Sequence, residues 1–375
     1  MPADRTLRVL QSAALRDLET PALIVDLAAL KRNIAAMAAT AKMAGVALRP
    51  HAKTHKSSEI AALQMNAGAK GIACATVAEA EMLAAAGIGG LLLTAPQTGD
   101  GKFARIARIN REHGLTVVVD HATQIEGLGR AVQSSDRKPA VAVDTDVGQM
   151  RTGVTDLAEG VRLAQTIAAH PRLEFAGIQG FAGNAQHIAD PQARSAAAVA
   201  AADTLRAFAA MLSSAGLPPK LITGSGTGTY RQDSAGPYNE LQVGSYVFMD
   251  SDYARIVDER GAGPSFEPSL FVLATIVSVN VPGQVTVDAG TKALATNGPP
   301  PCHIVGAPPG STYRFAGDEH GIIAIPAGHA LPAIGERLLI GATHCDPTVN
   351  LHGAYRVVED DNVQTWPIRA RYGER

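Results

Sequence analysis

Cysteine, aromatic residues and unbalanced charge are all scarce in this 375-residue chain. The three cysteines, Cys74, Cys302 and Cys345, are odd in number and never spaced as C-x-x-C. That argues against a disulfide framework or a structural zinc site and points to a reducing compartment, the cytoplasm. Aromatics make up 4%, too few for a base-stacking platform. Lys plus Arg (33) nearly balances Asp plus Glu (35), for a net charge of −2. No basic field exists to attract nucleic acid or an anionic membrane. No run approaches the roughly 18 apolar residues of a membrane span, so none is expected. The N-terminus lacks the basic-then-apolar plan of a signal peptide. With 46% apolar and only 18% charged residues, the chain is not disordered.

What is present is alternation. Short apolar runs occur at 45–49, 71–76, 90–95, 115–120, 140–146, 174–180, 220–225 and 240–246. Helically spaced segments lie between most of them, clearest at 57–68, 77–87 and 193–216. Buried parallel strands read as continuous apolar runs, so the pattern predicts an α/β (β/α)₈ TIM-type barrel over residues 27–255. A doubly wound open sheet is the alternative. From 256 to 375 strands are separated by Pro/Gly turns with almost no helical pattern, which predicts a C-terminal all-β domain. The early strand at 21–27, in an N-terminal segment (1–26), is expected to pair with that β domain.

Barrel active sites lie at the C-terminal ends of the strands. The first run is followed by Arg49-Pro50-His51-Ala52-Lys53-Thr54-His55-Lys56. A lysine at a barrel mouth can form a Schiff base with an aldehyde, and either Lys53 or Lys56 would serve. The seventh and eighth runs lead into Gly224–Thr229 and Gly244-Ser245, where backbone N–H groups could cradle a phosphate. A lysine plus a phosphate loop suggests pyridoxal 5′-phosphate (PLP). Thr76, Arg151, Gln186 and His187 follow other strands, as candidates to tune the cofactor or act as base. In Thr343–Thr348, His344 and Asp346 would share one face of a strand and could hold a divalent ion. Cys345 as a ligand would instead favour zinc, and a surface His beside a turn-forming Asp-Pro is the plain alternative.

RPHAKTHK (49–56), VDTDVGQMRTG (143–153), ITGSGTGTY (222–230), LQVGSYVFMD (241–250), DAGTK (288–292), DEHG (318–321) and THCDPTVNLH (343–352) together resemble the D-threonine aldolase family. This family of alanine racemase-type (fold type III) PLP enzymes includes 3-hydroxy-D-aspartate aldolases and D-serine dehydratases. The resemblance implies that Lys53 carries PLP and that His344 and Asp346 bind a divalent metal, with Mn²⁺ favoured over Mg²⁺ or Co²⁺. It implies phosphate and ring contacts from Thr227, Gly244, Ser245 and Tyr253, with Arg151 near the ring. His187 would be the base for the substrate's β-hydroxyl. Thr76 stands where many relatives have Gln, and Phe181 where they often have Tyr. The H-x-D pattern is similar to that of the aldolases, whereas the dehydratases more often carry H-x-C. The implied activity is cleavage of D-threonine-type β-hydroxy-α-amino acids to glycine and an aldehyde. Cleavage of 3-hydroxy-D-aspartate, or dehydration of D-serine or D-threo-3-hydroxyaspartate, is the alternative. A homodimer is also implied.

Overall fold

A computed structural model describes residues 2–258, 260–263 and 265–372, without the side chains of residues 2–5. The chain opens with helix α1 (Pro2–Gln11), strand β1 (Ala22–Asp26) and helix α2 (Leu27–Ala44). Eight strands follow: β2 (Ala47–Leu48), β3 (Ala73–Cys74), β4 (Leu91–Leu93), β5 (Leu115–Val119), β6 (Ala140–Thr145), β7 (Glu174–Gly180), β8 (Leu221–Gly224) and β9 (Glu240–Leu241). Between them lie α3 (Ser58–Asn66), α4 (Val77–Ala85), α5 (Asp100–His113), α6 (Ala122–Ala131), α7 (Leu157–Ala169), α8 (Pro191–Ser214) and α9 (Tyr230–Asp233). The remainder comprises β10 (Leu270–Ser278), β11 (Gln284–Val287), β12 (Ile304–Val305), β13 (Thr312–Phe315), β14 (Gly321–Ala324), β15 (Arg337–Gly341), α10 (Cys345–Leu351), β16 (Ala354–Glu359) and β17 (Asn362–Pro367). Two compact units result: Met37–Gly244, and the residues up to Ala36 together with those from Ser245 onward.

In the first unit all neighbouring strands are parallel, in the order β2-β9-β8-β7-β6-β5-β4-β3. A parallel bridge between His51 and Ala73 joins the two ends of that order, so the sheet closes into the expected barrel. Helix starts are written into the sequence. Ser57, Thr76, Asp156 and Asp190 accept first-turn N–H groups of α3, α4, α7 and α8, and Pro191 opens α8. By length and hydropathy α8 could cross a membrane, yet its Leu205, Phe208 and Leu212 are fully buried in this unit. Gly177 (φ +149°) sits at a register shift in β7, where a Cβ would lie 2.0 Å from Leu221 O.

The barrel interior has an apolar layer of Leu92, Val118 and Ala142. Beside it runs a polar one. Gln179 Nε2 donates to Thr94 O and to Asp144 Oδ1, both at 2.8 Å. Gln242 Nε2 donates to Gln179 Oε1 and Thr223 Oγ1, and Thr223 Oγ1 donates to Glu240 (3.0 Å). Arg49 grips the same Glu240 with two nitrogens at 2.7 and 2.8 Å. Strands that are not neighbours in the sheet are thus tied across the lumen, and buried polar groups satisfy one another.

In the second unit β1 pairs antiparallel with β10 and parallel with β16. The sheet has nine strands, ordered β13-β14-β11-β10-β1-β16-β17, with β15 on β10 and β12 on β15. Leu15, Ile24, Phe271, Leu273, Leu339 and Val358 form its buried cluster. Each such side chain contributes about 1.5–3 kcal/mol on burial. One expectation is corrected here. His344 and Asp346 are not on a strand: β15 ends at Gly341, His344 is the N-cap of α10, and Cys345 and Asp346 lie in its first turn. Pro347 explains this, because proline is tolerated in the first turn of a helix and excluded from a central strand.

Candidate active site

In the barrel unit the candidate residues follow the C-terminal ends of the strands. Lys53 lies in a 3₁₀ turn (Ala52–Thr54) just after β2. Its N–H donates to His51 Nδ1 (3.2 Å), which leaves Nε2–H of that neutral ring to donate to Thr94 Oγ1 (3.0 Å). Thr94 in turn donates to Cys74 O. The other lysine of the motif, Lys56, is 6% exposed and pairs with Glu79 at 2.5 Å. Its amine is therefore held by a carboxylate. Glu79 also accepts the N–H groups of Ala75 and Thr76, and the Thr76 hydroxyl caps α4. Thr76 is thus placed as a helix cap.

Arg151 is exposed in the loop after β6, with its Cζ 5.7 Å from the Phe181 ring centroid. A small pocket there is lined by Asp144, Gln149, Arg151, Thr152, Gln179 and Phe181, among others. Three carboxylates shape the loop. Asp146 accepts the N–H groups of Gly148, Gln149 and Met150, Asp120 that of Gly153, and Asp144 the Thr152 hydroxyl. Burial pushes Asp144 up to about 6, against hydrogen bonds from Gln179 and Thr152.

Thr227 is buried in the glycine-rich turn after β8. Glycine is obligatory at Gly228, where a Cβ would come within 2.1 Å of the Gln186 carbonyl oxygen, and at Gly226 a Cβ would meet the Gln186 side-chain amide at 2.4 Å. At Gly244 a Cβ would lie 2.6 Å from Thr54 Oγ1, a fully buried hydroxyl with no hydrogen-bond partner. His187 ends the 3₁₀ turn after β7 and is exposed, whereas its neighbour Gln186 is buried.

The sheet unit gathers the remaining candidates. Asp250 Oδ2 accepts the Cys345 N–H (2.9 Å) and Oδ1 the Tyr253 N–H (3.0 Å). Ser245 hydrogen-bonds to the side chains of Tyr253 and Cys345. Burial raises Asp250, Tyr253 and Cys345 above their ordinary values. Cys345 Sγ lies 3.4 Å from Asp346 Oδ1. The Asn297 amide lies 2.9 Å from His344 Nδ1.

The residues fit both groups that the sequence implies. Glycines whose Cβ positions are filled by neighbouring atoms bring backbone close to a phosphate, and the unpartnered Thr54 hydroxyl adds a donor beside Gly244. His344 and Asp346 supply a nitrogen and a carboxylate. Among the described residues no set of three or more His, Cys, Asp or Glu side chains is arranged around one ion. A histidine with a carboxylate is a donor set that divalent cations such as Mg²⁺ or Mn²⁺ accept, with water completing the shell.

Residues 25–252 match the family model for the alanine racemase N-terminal domain, and 269–358 match a serine dehydratase domain. A D-threonine aldolase from Arthrobacter sp. is 40% identical over 355 residues, covering 94% of this chain and 93% of that protein. The chain belongs to the D-threonine aldolase family. Its similarity extends to a 3-hydroxy-D-aspartate aldolase of Paracoccus denitrificans (strain Pd 1222), 37% identical over 95% of this chain and 92% of that one. The crystal structure of D-threonine aldolase from Filomicrobium marinum superposes with a TM-score of 0.90 at 40% identity, covering 95% and 97% of the two chains. Membership in this alanine racemase-like family implies PLP as cofactor. Asp144, Asp233, Asp250, Glu79 and Asn297 were not evident from motif reading. Glu79, Asp144, Asp250 and Asn297 have partners distant in sequence, Asp233 bonds to Thr229 four positions away, and the capping box Thr76–Glu79 left a local signal.

Proposed function

We propose that this protein is a PLP- and divalent-metal-dependent carbon–carbon lyase that cleaves D-threonine-type β-hydroxy-α-amino acids to glycine and an aldehyde. One observation carries it: a chain collinear with D-threonine aldolase keeps a histidine–carboxylate pair at the start of α10, the ring of His344 fixed by Asn297. Lys53 would hold the cofactor aldehyde, with Thr227, Gly244, Ser245 and Tyr253 as phosphate and ring contacts and Arg151 beside the ring. When bound, PLP supplies an electron sink for the carbanion left at Cα. His344 and Asp346 would hold the metal, which supplies Lewis acidity at the β-hydroxyl oxygen. His187, exposed on its turn, takes the β-hydroxyl proton. The electron pair of that O–H bond becomes the aldehyde C=O, the Cα–Cβ pair stays on Cα, and a proton returns there to give glycine. The proposal includes Mn²⁺ as the metal, a homodimer and a cytoplasmic location.

The test is product analysis with D-threonine, 3-hydroxy-D-aspartate and D-serine in the presence of PLP and Mn²⁺. Glycine with acetaldehyde or glyoxylate is expected, the ratio of the two ranking the substrates. Ammonia and a keto acid in place of glycine would overturn C–C cleavage and make the protein a dehydratase.

A further inference from the structure

The Gly224–Thr229 loop rests on a buried relay that the proposed reaction does not use. Gly228 N–H donates to Gln186 Oε1 (2.9 Å), Gln186 Nε2 to Thr229 Oγ1 (2.8 Å), and Thr229 Oγ1 to Asp233 Oδ2 (2.5 Å). Every donor points from the loop toward Asp233. Gln186 and Asp233 are 1% and 4% exposed. Gly228 packs so closely on the Gln186 backbone that it could not carry a Cβ, and a Cβ at Gly226 would push on the Gln186 amide. The position of the loop's backbone N–H groups is therefore set by one amide and one carboxyl group beneath it.

We propose that Gln186 and Asp233 are positioning residues of an anion loop, and that Asp233 takes up a proton when a phosphoester occupies that loop. The inference rests on the reading that this loop holds the PLP phosphate. A buried carboxylate one short relay below a phosphate dianion is a like charge in a medium of low polarity, so filling the loop disfavours its ionised form. Protonation keeps Oδ2 as the acceptor for Thr229 and places the new O–H on the other oxygen. Burial already pushes Asp233 up to about 6, against the pull of the Thr229 hydroxyl. The charged and titratable groups on the elements packed around it are Tyr238, Arg194, Arg231 and His187. Tyr238 faces it as a neutral phenol, raised by burial. Arg194 of α8 donates to Ile188 O, Arg231 of α9 lies over the Tyr230 ring, and His187, next to Gln186, is exposed.

The experiment titrates PLP and pyridoxal, followed by absorbance, into the cofactor-depleted full-length protein and its Asp233→Asn and Gln186→Ala variants. In the wild type the preference for PLP over pyridoxal should fall between about pH 6 and pH 8, by up to tenfold per pH unit. In Asp233→Asn, which mimics the neutral acid, that fall should vanish and only the phosphate's own rise near pH 6 should remain. Gln186→Ala should weaken PLP and leave pyridoxal unchanged. Equal pH dependence in wild type and Asp233→Asn would overturn the proton linkage while the loop's role as a phosphate site stands. A wild type that does not prefer PLP at any pH would instead remove the phosphate site. Should Asp233→Asn fail to fold, proton exchange on wild-type binding decides, measured calorimetrically in buffers of different ionisation heat. Greater uptake with PLP than with pyridoxal is expected, and the phosphate's own titration near pH 6 has the opposite sign. Equal uptake overturns the proposal.

Discussion

In the barrel unit, polar side chains 43 and 63 positions apart in sequence, on strands that are not neighbours, hydrogen-bond across the lumen. In the sheet unit the interior is an apolar cluster, and the polar candidates gather at the first turn of α10 and the loop that carries Asp250. The difference matters for how each unit responds to change. A distributed network cannot lose one member without stranding another buried group, whereas a pair at a helix start can be removed with little effect on folding. The barrel therefore couples fold to site, and the sheet unit keeps them separable.

Four substitutions test that contrast, in falling order of effect. Lys53→Ala should abolish the visible absorption of bound cofactor and lower kcat by about 10³-fold or more. A retained band would move the role to Lys56. His344→Ala should cost about 10²-fold in activity, not recovered by added Mn²⁺, with unfolding changed by less than about 1 kcal/mol. A large loss of stability there would erase the separation drawn for the sheet unit. Glu79→Gln leaves Lys56 buried without its carboxylate and should cost about 3–5 kcal/mol in urea unfolding, similar to Phe271→Ala in the sheet core. Adding Lys56→Met should recover most of the Glu79→Gln loss, which no polar change could do for Phe271→Ala. The smallest effect concerns pH. Asp144 rises from 3.8 to about 6 on folding, so the folded state holds its proton more tightly. Its contribution is full below pH 3.8 and is lost as pH rises through 6, by up to about 3 kcal/mol. Asp144→Asn should flatten that share of the slope in urea unfolding measured across this range.

The same contrast explains what was legible in the sequence. The runs at 140–146 and 174–180 became β6 and β7 almost residue for residue, because strands buried on both faces must be apolar throughout. Lys53, Thr227 and Gly244 could be named because they sit in compact motifs after strands. Asp144, Gln179, Gln242 and Thr223 could not, since each has its partner on another strand and leaves no local spacing to read. The start of α10 was misassigned because an alternating H-x-D pattern imitates a strand. The proline at 347, read there as part of a turn, was the residue that separated the two.

The barrel is not equally stitched around its circumference. β2 meets β9 in two registered pairs, and the gap from β2 to β3 is spanned by the His51–Ala73 bridge and the Lys70 N–H to Leu48 O bond, with no named strand pairing between them. β6 and β7, on the far side, share six registered pairs. A cylinder of staves parts first at its thinnest hoop, so partial opening in the native state should begin beside Lys53. The amides of residues 47–54 would then exchange with solvent well before those of 140–145. The residue proposed to anchor the cofactor thus lies beside the most thinly paired seam of the barrel.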